Sequence, residues 1–178
     1  ALGIRFHEVA QGLVVVQRCR GIVGVAHEHQ LGIVADLGIH GVQVVIEAIV
    51  ERADVKRGVF TALETRLKED AILATNTSSI KLEELSSALQ RPERLVGLHF
   101  FNPVALMPLV EIIRGSSTDE ITMNRAINLA RRIDKLPLPC RSSPGCLVNR
   151  VLVPYMFEAM HAAQEGVSKE IIDRAAMD

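Results

Sequence analysis

Residues 42–79 read VQVVIEAIVERADVKRGVFTALETRLKEDAILATNTSS. The run from Val42 to Ile49 is apolar apart from Gln43 and Glu47, which suits a strand buried on both faces of a parallel sheet. Val55, Val59, Leu63 and Leu67 then recur every fourth residue, the spacing of a helix with one apolar face. Ala71 to Ala74 is a second short apolar run, closed by Thr75-Asn76-Thr77-Ser78-Ser79. Strand, helix and strand at this spacing predict an α/β sheet, mostly parallel.

Outward from this unit the pattern continues. Leu82, Leu85 and Leu89 mark a short helix and Leu95 to Leu98 a third strand. Leu109 to Ile113 reads as another strand, with Asn102-Pro103 turning the chain before it. Ser117-Thr118-Asp119-Glu120 has the form of a capping box, opening a helix with Met123, Ile127 and Ala130 inward. Leu136 to Cys140 can be one more strand. After Pro144-Gly145 the character becomes helical, from Leu147 to Gln164 and again from Ser168, with Gly166 and Ser168 as cap residues between. Upstream, composition changes near residue 42: the first 41 residues hold seven of the twelve glycines and no lysine. Val-rich pieces there (13–16, 21–26 and 31–35) can be strands. The expected organisation is an unassigned segment at 1–41, a mostly parallel α/β domain at 42–141, and the start of a helical domain at 142–178.

Composition narrows the function classes. With 48 % hydrophobic residues the chain of 178 can build a core. A net charge of −1 without blocks of like charge argues against a nucleic-acid or membrane-surface partner. No apolar run reaches the length of a membrane span. The opening ALGIRFHEVAQ lacks the basic-then-apolar design of a signal peptide. Cys19, Cys140 and Cys146 form no C-x-x-C pair, so a reducing, cytoplasmic setting is expected. His27 and His29 flank Glu28, but a zinc site needs three or four ligands and no second cluster accompanies them. No metal is expected.

In such sheets ligands gather at the carboxyl ends of the strands. Glu47 and Glu51 follow the first strand, Thr75 to Ser79 the second, and His99 with Asn102 the third; together they make a convergent polar site. His99 stands twelve positions before Glu111, and the intervening bend can bring the two together. A neutral imidazole can take a proton from an alcohol, and a carboxylate on its far nitrogen fixes the tautomer. The other reading is a strand-end histidine that only satisfies its own hydrogen bonds. Ser78 and Thr77 can equally be helix caps, and Glu51 and Lys56, taken singly, read as solvated charges at a helix start. Asn149, between Val148 and Arg150, needs a partner: an interhelical hydrogen bond or a substrate.

VVIEAIVERADVKRGVF, ILATNTSSI, RLVGLHFFNPVALMPLVEIIRG and PGCLVNRVLVPYMFEAM together resemble the L-3-hydroxyacyl-CoA dehydrogenase family, in particular the dehydrogenase part of multifunctional fatty-acid β-oxidation subunits. The resemblance covers about residues 42 to 178 and implies that 42–141 is a partial NAD-binding Rossmann-type domain. It implies NAD-dependent oxidation of a 3-hydroxyacyl-CoA to the 3-ketoacyl-CoA. It also implies His99 as the base with Glu111 as its carboxylate, and Ser78 and Asn149 around the substrate oxygen and nicotinamide. Ile49, Val50, Glu51, Lys56, Ser78 and Asn102 match positions toward the cofactor. Implied partners are an acyl-CoA substrate and, for a full-length protein, a second copy or a β-oxidation complex with thiolase. The chain also departs from the family's pattern. No G-x-G-x-x-G phosphate loop occurs, Gly21-Ile22-Val23-Gly24 being the nearest approach. Asp36 matches the ribose-binding carboxylate only by spacing. Cys146 stands where an aromatic residue is usual. The expectation is therefore an incomplete Rossmann-type sheet with the start of an all-helical domain. The alternatives are a non-catalytic truncated remnant or a related 3-hydroxy acid dehydrogenase.

Overall fold

A computed structural model describes residues 13–18, 21–27 and 43–177. Strands β1 (Leu13–Arg18) and β2 (Gly21–His27) precede β3 (Val44–Ala48), α1 (Ala53–Glu64) and β4 (Ile72–Thr75). Then come α2 (Leu82–Ser86), a 3₁₀ turn (Pro92–Arg94), β5 (Leu95–Phe100), β6 (Leu109–Arg114), α3 (Glu120–Arg132), β7 (Leu136–Arg141), α4 (Val148–Gln164) and α5 (Lys169–Met177). The seven strands form one sheet in the order β2-β1-β3-β4-β5-β6-β7. From β3 onward the pairings are parallel except at β5–β6, where the chain doubles back. On the other side β1 pairs antiparallel with both β2 and β3. The sheet is thus parallel in its centre and antiparallel at the edge that the sequence left unassigned. Gly21 to Gly24 lie within β2, so they form a strand and no strand-turn-helix phosphate loop. The segment 31–35, Cys19, Glu28, His29 and Asp36 lie outside the described residues.

The two faces of the sheet follow from the alternation of side chains along each strand. Val45, Leu73, Leu95 and Ile113 face α1 and α2, packing with Val59, Phe60, Leu63, Leu82 and Leu85. Val44, Ile46, Ile72, Val96, Leu98, Val110 and Ile112 face α3, packing with Met123, Ala126 and Ala130. By the same alternation His99 and Glu111 fall on the α1 and α2 side, with Cys146 in the core cluster there. Gly97 lies opposite Ile113 in the β5–β6 ladder. A Cβ added at Gly97 would come within 2.6 Å of the Ile113 Cβ, so the absence of a side chain lets the two strands meet.

The start of α3 differs from the expected capping box. Asp119 is the N-cap, its side chain accepting from the Thr122 backbone N–H. Thr118 is drawn away to donate to the Leu95 carbonyl and accept from the Gly115 N–H. Gly166 stands just past α4 with φ +92, the left-handed backbone a glycine adopts without strain. Helices α4 and α5 have no buried residue, and Leu152, Tyr155, Met156 and Phe157 stand exposed along α4. Among the described residues, no helix is long and apolar enough to cross a membrane.

Candidate active site

The antiparallel register of β5 and β6 sets His99 directly opposite Glu111. His99 Nδ1 lies 2.7 Å from Glu111 Oε2, with the imidazole 91 % and the carboxylate fully removed from solvent. The second oxygen, Oε1, accepts the backbone N–H groups of Leu147 at 2.9 Å and Val148 at 2.8 Å. These are the first amides of α4, an end that favours negative charge. A carboxylate so placed accepts on both oxygens, so Nδ1 carries the hydrogen and Nε2 keeps its lone pair. Phe101 meets the ring edge-on, with centroids 4.8 Å apart. The imidazole is therefore fixed in tautomer by Glu111 and in orientation by Phe101.

A second carboxylate organises the neighbouring strand ends. Glu51, just past β3, accepts at Oε1 from the Thr77 hydroxyl at 2.5 Å, from the Ser78 and Ser79 N–H groups at 3.0 Å, and from the Ser79 hydroxyl. Its Oε2 lies 3.3 Å from Lys56 Nζ. Partial burial alone would raise its pKa. The Thr77 hydrogen bond, the Lys56 charge and the Ser79 bonds outweigh that and hold it at about 2. Lys56 is not the solvated helix-start charge that its position suggests. It is 1 % exposed and contacts Glu47 Oε1 at 2.7 Å and the Ile49 carbonyl at 3.3 Å. Glu47, fully buried within β3, also accepts from the Thr75 hydroxyl and the Ile49 N–H. It belongs to the strand interior, not to a surface polar cluster.

One connected path joins the two carboxylates. Ser78 donates its N–H to Glu51 and accepts from the Gly145 N–H through its carbonyl at 3.1 Å. Gly145, at φ +73, leads through Cys146, at φ +47, into the Leu147 and Val148 amides that hold Glu111. Glu83 steadies the same turn by accepting from Ser142, whose oxygen in turn caps α2 by accepting from the Leu82 N–H. The half-buried side chains of Ser78 and Asn149 make no hydrogen bond among the described residues, which leaves both for a ligand. For Asn149 this removes the interhelical bond as an explanation. Ile49 packs its side chain in the core, Val50 is half-buried, and Asn102 is exposed beside a cis bond to Pro103. The structure thus joins His99, Glu111, Ser78, Glu51 and Lys56 through a few contacts, and Asn102 stands outside that network.

Sequence reasoning passed over Asn76, whose Oδ1 accepts the Phe100 N–H at 2.8 Å while its own N–H reaches the Glu47 carbonyl. It extends the β4–β5 ladder past the end of β4 and so sets where His99 emerges. Its only signal was membership of the Thr-Asn-Thr-Ser-Ser cluster. Cys146 was also missed as a neighbour of the dyad: one side-chain donor atom each from His99, Glu111 and Cys146 lies within 4.8 Å of the others. The neighbouring Cys146 thiol lowers the Cys140 pKa; in Cys146 the Cys140 thiol, burial and the charge of Glu111 push it up.

Comparison with known proteins gives this geometry a family. Residues 28–143 match the model of the 3-hydroxyacyl-CoA dehydrogenase NAD-binding domain, and 145–178 that of the C-terminal domain. The chain is 46 % identical over 132 residues to a 3-hydroxybutyryl-CoA dehydrogenase of Clostridioides difficile, covering 74 % of this chain and 47 % of that protein. It is 46 % identical over 133 residues to a fatty acid oxidation complex subunit alpha of Ectopseudomonas oleovorans, covering 75 % of this chain and 19 % of the other. The crystal structure of 3-hydroxybutyryl-CoA dehydrogenase from Escherichia coli superposes with a TM-score of 0.69 at 40 % identity, over 71 % of this chain and 27 % of that one. The chain spans about half or less of the length of these relatives. It belongs to the 3-hydroxyacyl-CoA dehydrogenase family, matching chiefly the family's NAD-binding domain.

Proposed function

We propose that the chain carries the centre for NAD-dependent oxidation of (S)-3-hydroxyacyl-CoA to 3-ketoacyl-CoA in fatty-acid β-oxidation. The carrying observation is the 2.7 Å His99–Glu111 contact, with the second carboxylate oxygen held by two helix amides. In this reading Nε2 of His99 accepts the proton of the C3 hydroxyl, and Glu111 stabilises the imidazolium that forms. The free Ser78 hydroxyl and Asn149 amide orient the substrate oxygen and stabilise its developing negative charge. NAD bound there would supply the hydride acceptor for C3. The donor set at the strand ends fits its nicotinamide end: the Ser78 hydroxyl and Asn149 amide are free, the pinned Glu51 holds the Ser78 N–H, and Val50 precedes Glu51 just past β3. Lys56 and Ile49 act from beneath, Lys56 by neutralising Glu47 and Glu51 and Ile49 by packing the strand end. Asn102 would close over the cofactor from its exposed loop.

By the same reading, residues 42–141 are a partial NAD-binding domain, 142–178 the start of the helical domain, and 1–41 a segment without assigned chemistry. A cytoplasmic setting is supported by the free thiols of Cys140 and Cys146. The names of the relatives support an acyl-CoA substrate and, for a longer protein, membership of a fatty acid oxidation complex; a homodimer or a thiolase partner rests on the family resemblance alone.

The test is NADH oxidation with acetoacetyl-CoA by chain shown to be folded, beside His99→Ala. Turnover that disappears in the variant supports the reading. Folded wild-type chain without turnover would instead support a non-catalytic remnant, which the missing G-x-G-x-x-G motif favours. Equal turnover of acetoacetate without the CoA moiety would point to another 3-hydroxy acid.

A further inference from the structure

We propose that His99, Glu111 and Cys146 form a binding site for a soft divalent cation of the zinc class, and that its occupancy silences His99 as a base. The three residues are 7 %, 0 % and 6 % exposed, and their nitrogen, oxygen and sulfur donors lie within 4.8 Å of one another. Zinc bonds of about 2.0 to 2.3 Å in a tetrahedron put ligand atoms roughly 3.3 to 3.8 Å apart. Side-chain movement of about 1 Å therefore closes the site. Imidazole, carboxylate and thiolate are the ligand types that zinc selects, whereas harder ions prefer all-oxygen sites.

The surroundings hold these donors as ligands are held elsewhere. Glu111 Oε1 is occupied by the Leu147 and Val148 amides, so Oε2 alone is presented, in fixed orientation. Cys146 is fixed by its left-handed backbone and by its N–H bond to the Ser143 carbonyl. On binding, the Cys146 S–H bond breaks, its proton leaves to solvent, and the sulfur lone pair forms the bond to the metal. No electron is transferred.

The ring nitrogen beside Glu111 Oε2 is Nδ1, and metallation there removes the base. A cation on Nδ1 displaces the hydrogen shared with Glu111 and leaves the ring's one proton on Nε2. Binding itself does not depend on the dehydrogenase reading; only the consequence for turnover rests on it.

The experiment is titration of the folded full chain, free of NAD, with Cd²⁺, followed by thiolate-to-cadmium charge-transfer absorption. One ion should bind per chain. The absorption should vanish and binding weaken roughly tenfold or more in Cys146→Ser, while Cys140→Ser keeps the Cys146 contribution. X-ray absorption of the Zn²⁺-loaded wild type should show both sulfur and imidazole ligands, which decides the matter even if Cys146→Ser does not fold. ¹⁵N-histidine spectra, with His99→Gln for assignment, should show the His99 ring metallated. Absence of charge transfer in folded wild type, an unchanged Cys146→Ser titration, or a zinc spectrum of oxygen and nitrogen alone would overturn the site. An unmetallated His99 in the loaded chain would overturn the silencing, and neither result touches the turnover test of the dehydrogenase reading.

Discussion

Replacing Gly97 by Ala tests how the His99–Glu111 pair is held. The new Cβ would stand 2.6, 2.7 and 3.0 Å from Ile113 Cβ, Cδ1 and Cγ1. Carbon atoms in contact prefer about 3.5 to 4.0 Å, so β5 and β6 must part locally by roughly 1 Å. A rotamer change of Ile113 relieves the two outer contacts but not the one at its Cβ. Overpacking of this kind costs about 1 to 3 kcal/mol. For a chain of this size, 2 kcal/mol corresponds to a Tm lower by about 4 to 8 °C. The same displacement acts two residues along each strand, on His99 and Glu111. A 2.7 Å contact opened by half that amount reaches the outer limit of a good hydrogen bond, about 3.2 Å. Thermal unfolding and the downfield Nδ1–H proton resonance of His99 measure the two effects together. An unchanged Tm with an unchanged resonance would refute the claim that Gly97 sets the strand approach.

Three further outcomes follow from the same contacts. Glu111→Gln can satisfy the Leu147 and Val148 amides only by turning its NH₂ toward Nδ1, which forces the hydrogen onto Nε2. Turnover should fall by up to about 10⁴-fold, the size seen for the wrong tautomer in a Ser–His–Asp triad, and ¹⁵N-histidine spectra should show the exchanged tautomer. Glu51, with its folded pKa depressed to about 2 from 4.5, contributes stability that is full above pH 4.5 and is lost as pH falls toward 2; the denaturation midpoint of Glu51→Gln should therefore vary less across that window than that of wild type. Lys56→Met strands the buried carboxylate of Glu47 and should cost about 3 to 5 kcal/mol in urea unfolding, part of which Glu47→Gln restores in the double variant.

The sequence announces the fold where periodicity is strict and falls silent where partners are distant. The apolar run of β3, the fourfold spacing in α1 and the leucines of α2 are local signals, and the structure builds each element there, with α1 and α2 each ending three residues before the last apolar residue of its pattern, Leu67 and Leu89. His99 and Glu111 were legible as a pair because a short bend between two apolar strands leaves few registers, and the observed one makes them direct partners. Lys56 was misjudged because its partner Glu47 hides inside an apolar strand, and no local pattern tells that a lysine at a helix start turns inward. Asp119 takes the cap expected of Ser117 because Thr118 is already claimed by the Leu95 carbonyl, a contact 23 residues away. Asn76 and Cys146 gain their significance only once three strand ends and the turn after β7 converge.

Glu111 joins two bodies of the protein through one side chain: Oε2 belongs to the imidazole in the sheet, and Oε1 to the first amides of α4. A single carboxylate in that position makes the His99–Glu111 hydrogen bond and the seating of α4 thermodynamically linked quantities. A stronger hydrogen bond from the imidazole draws charge toward Oε2 and weakens the grip of Oε1 on the helix; pulling the helix away returns that charge to the imidazole hydrogen bond. By reciprocity the two effects are equal in free energy. Helix α4 is therefore a lever on proton transfer, and whatever packs against its exposed flank adjusts the chemistry from outside the site.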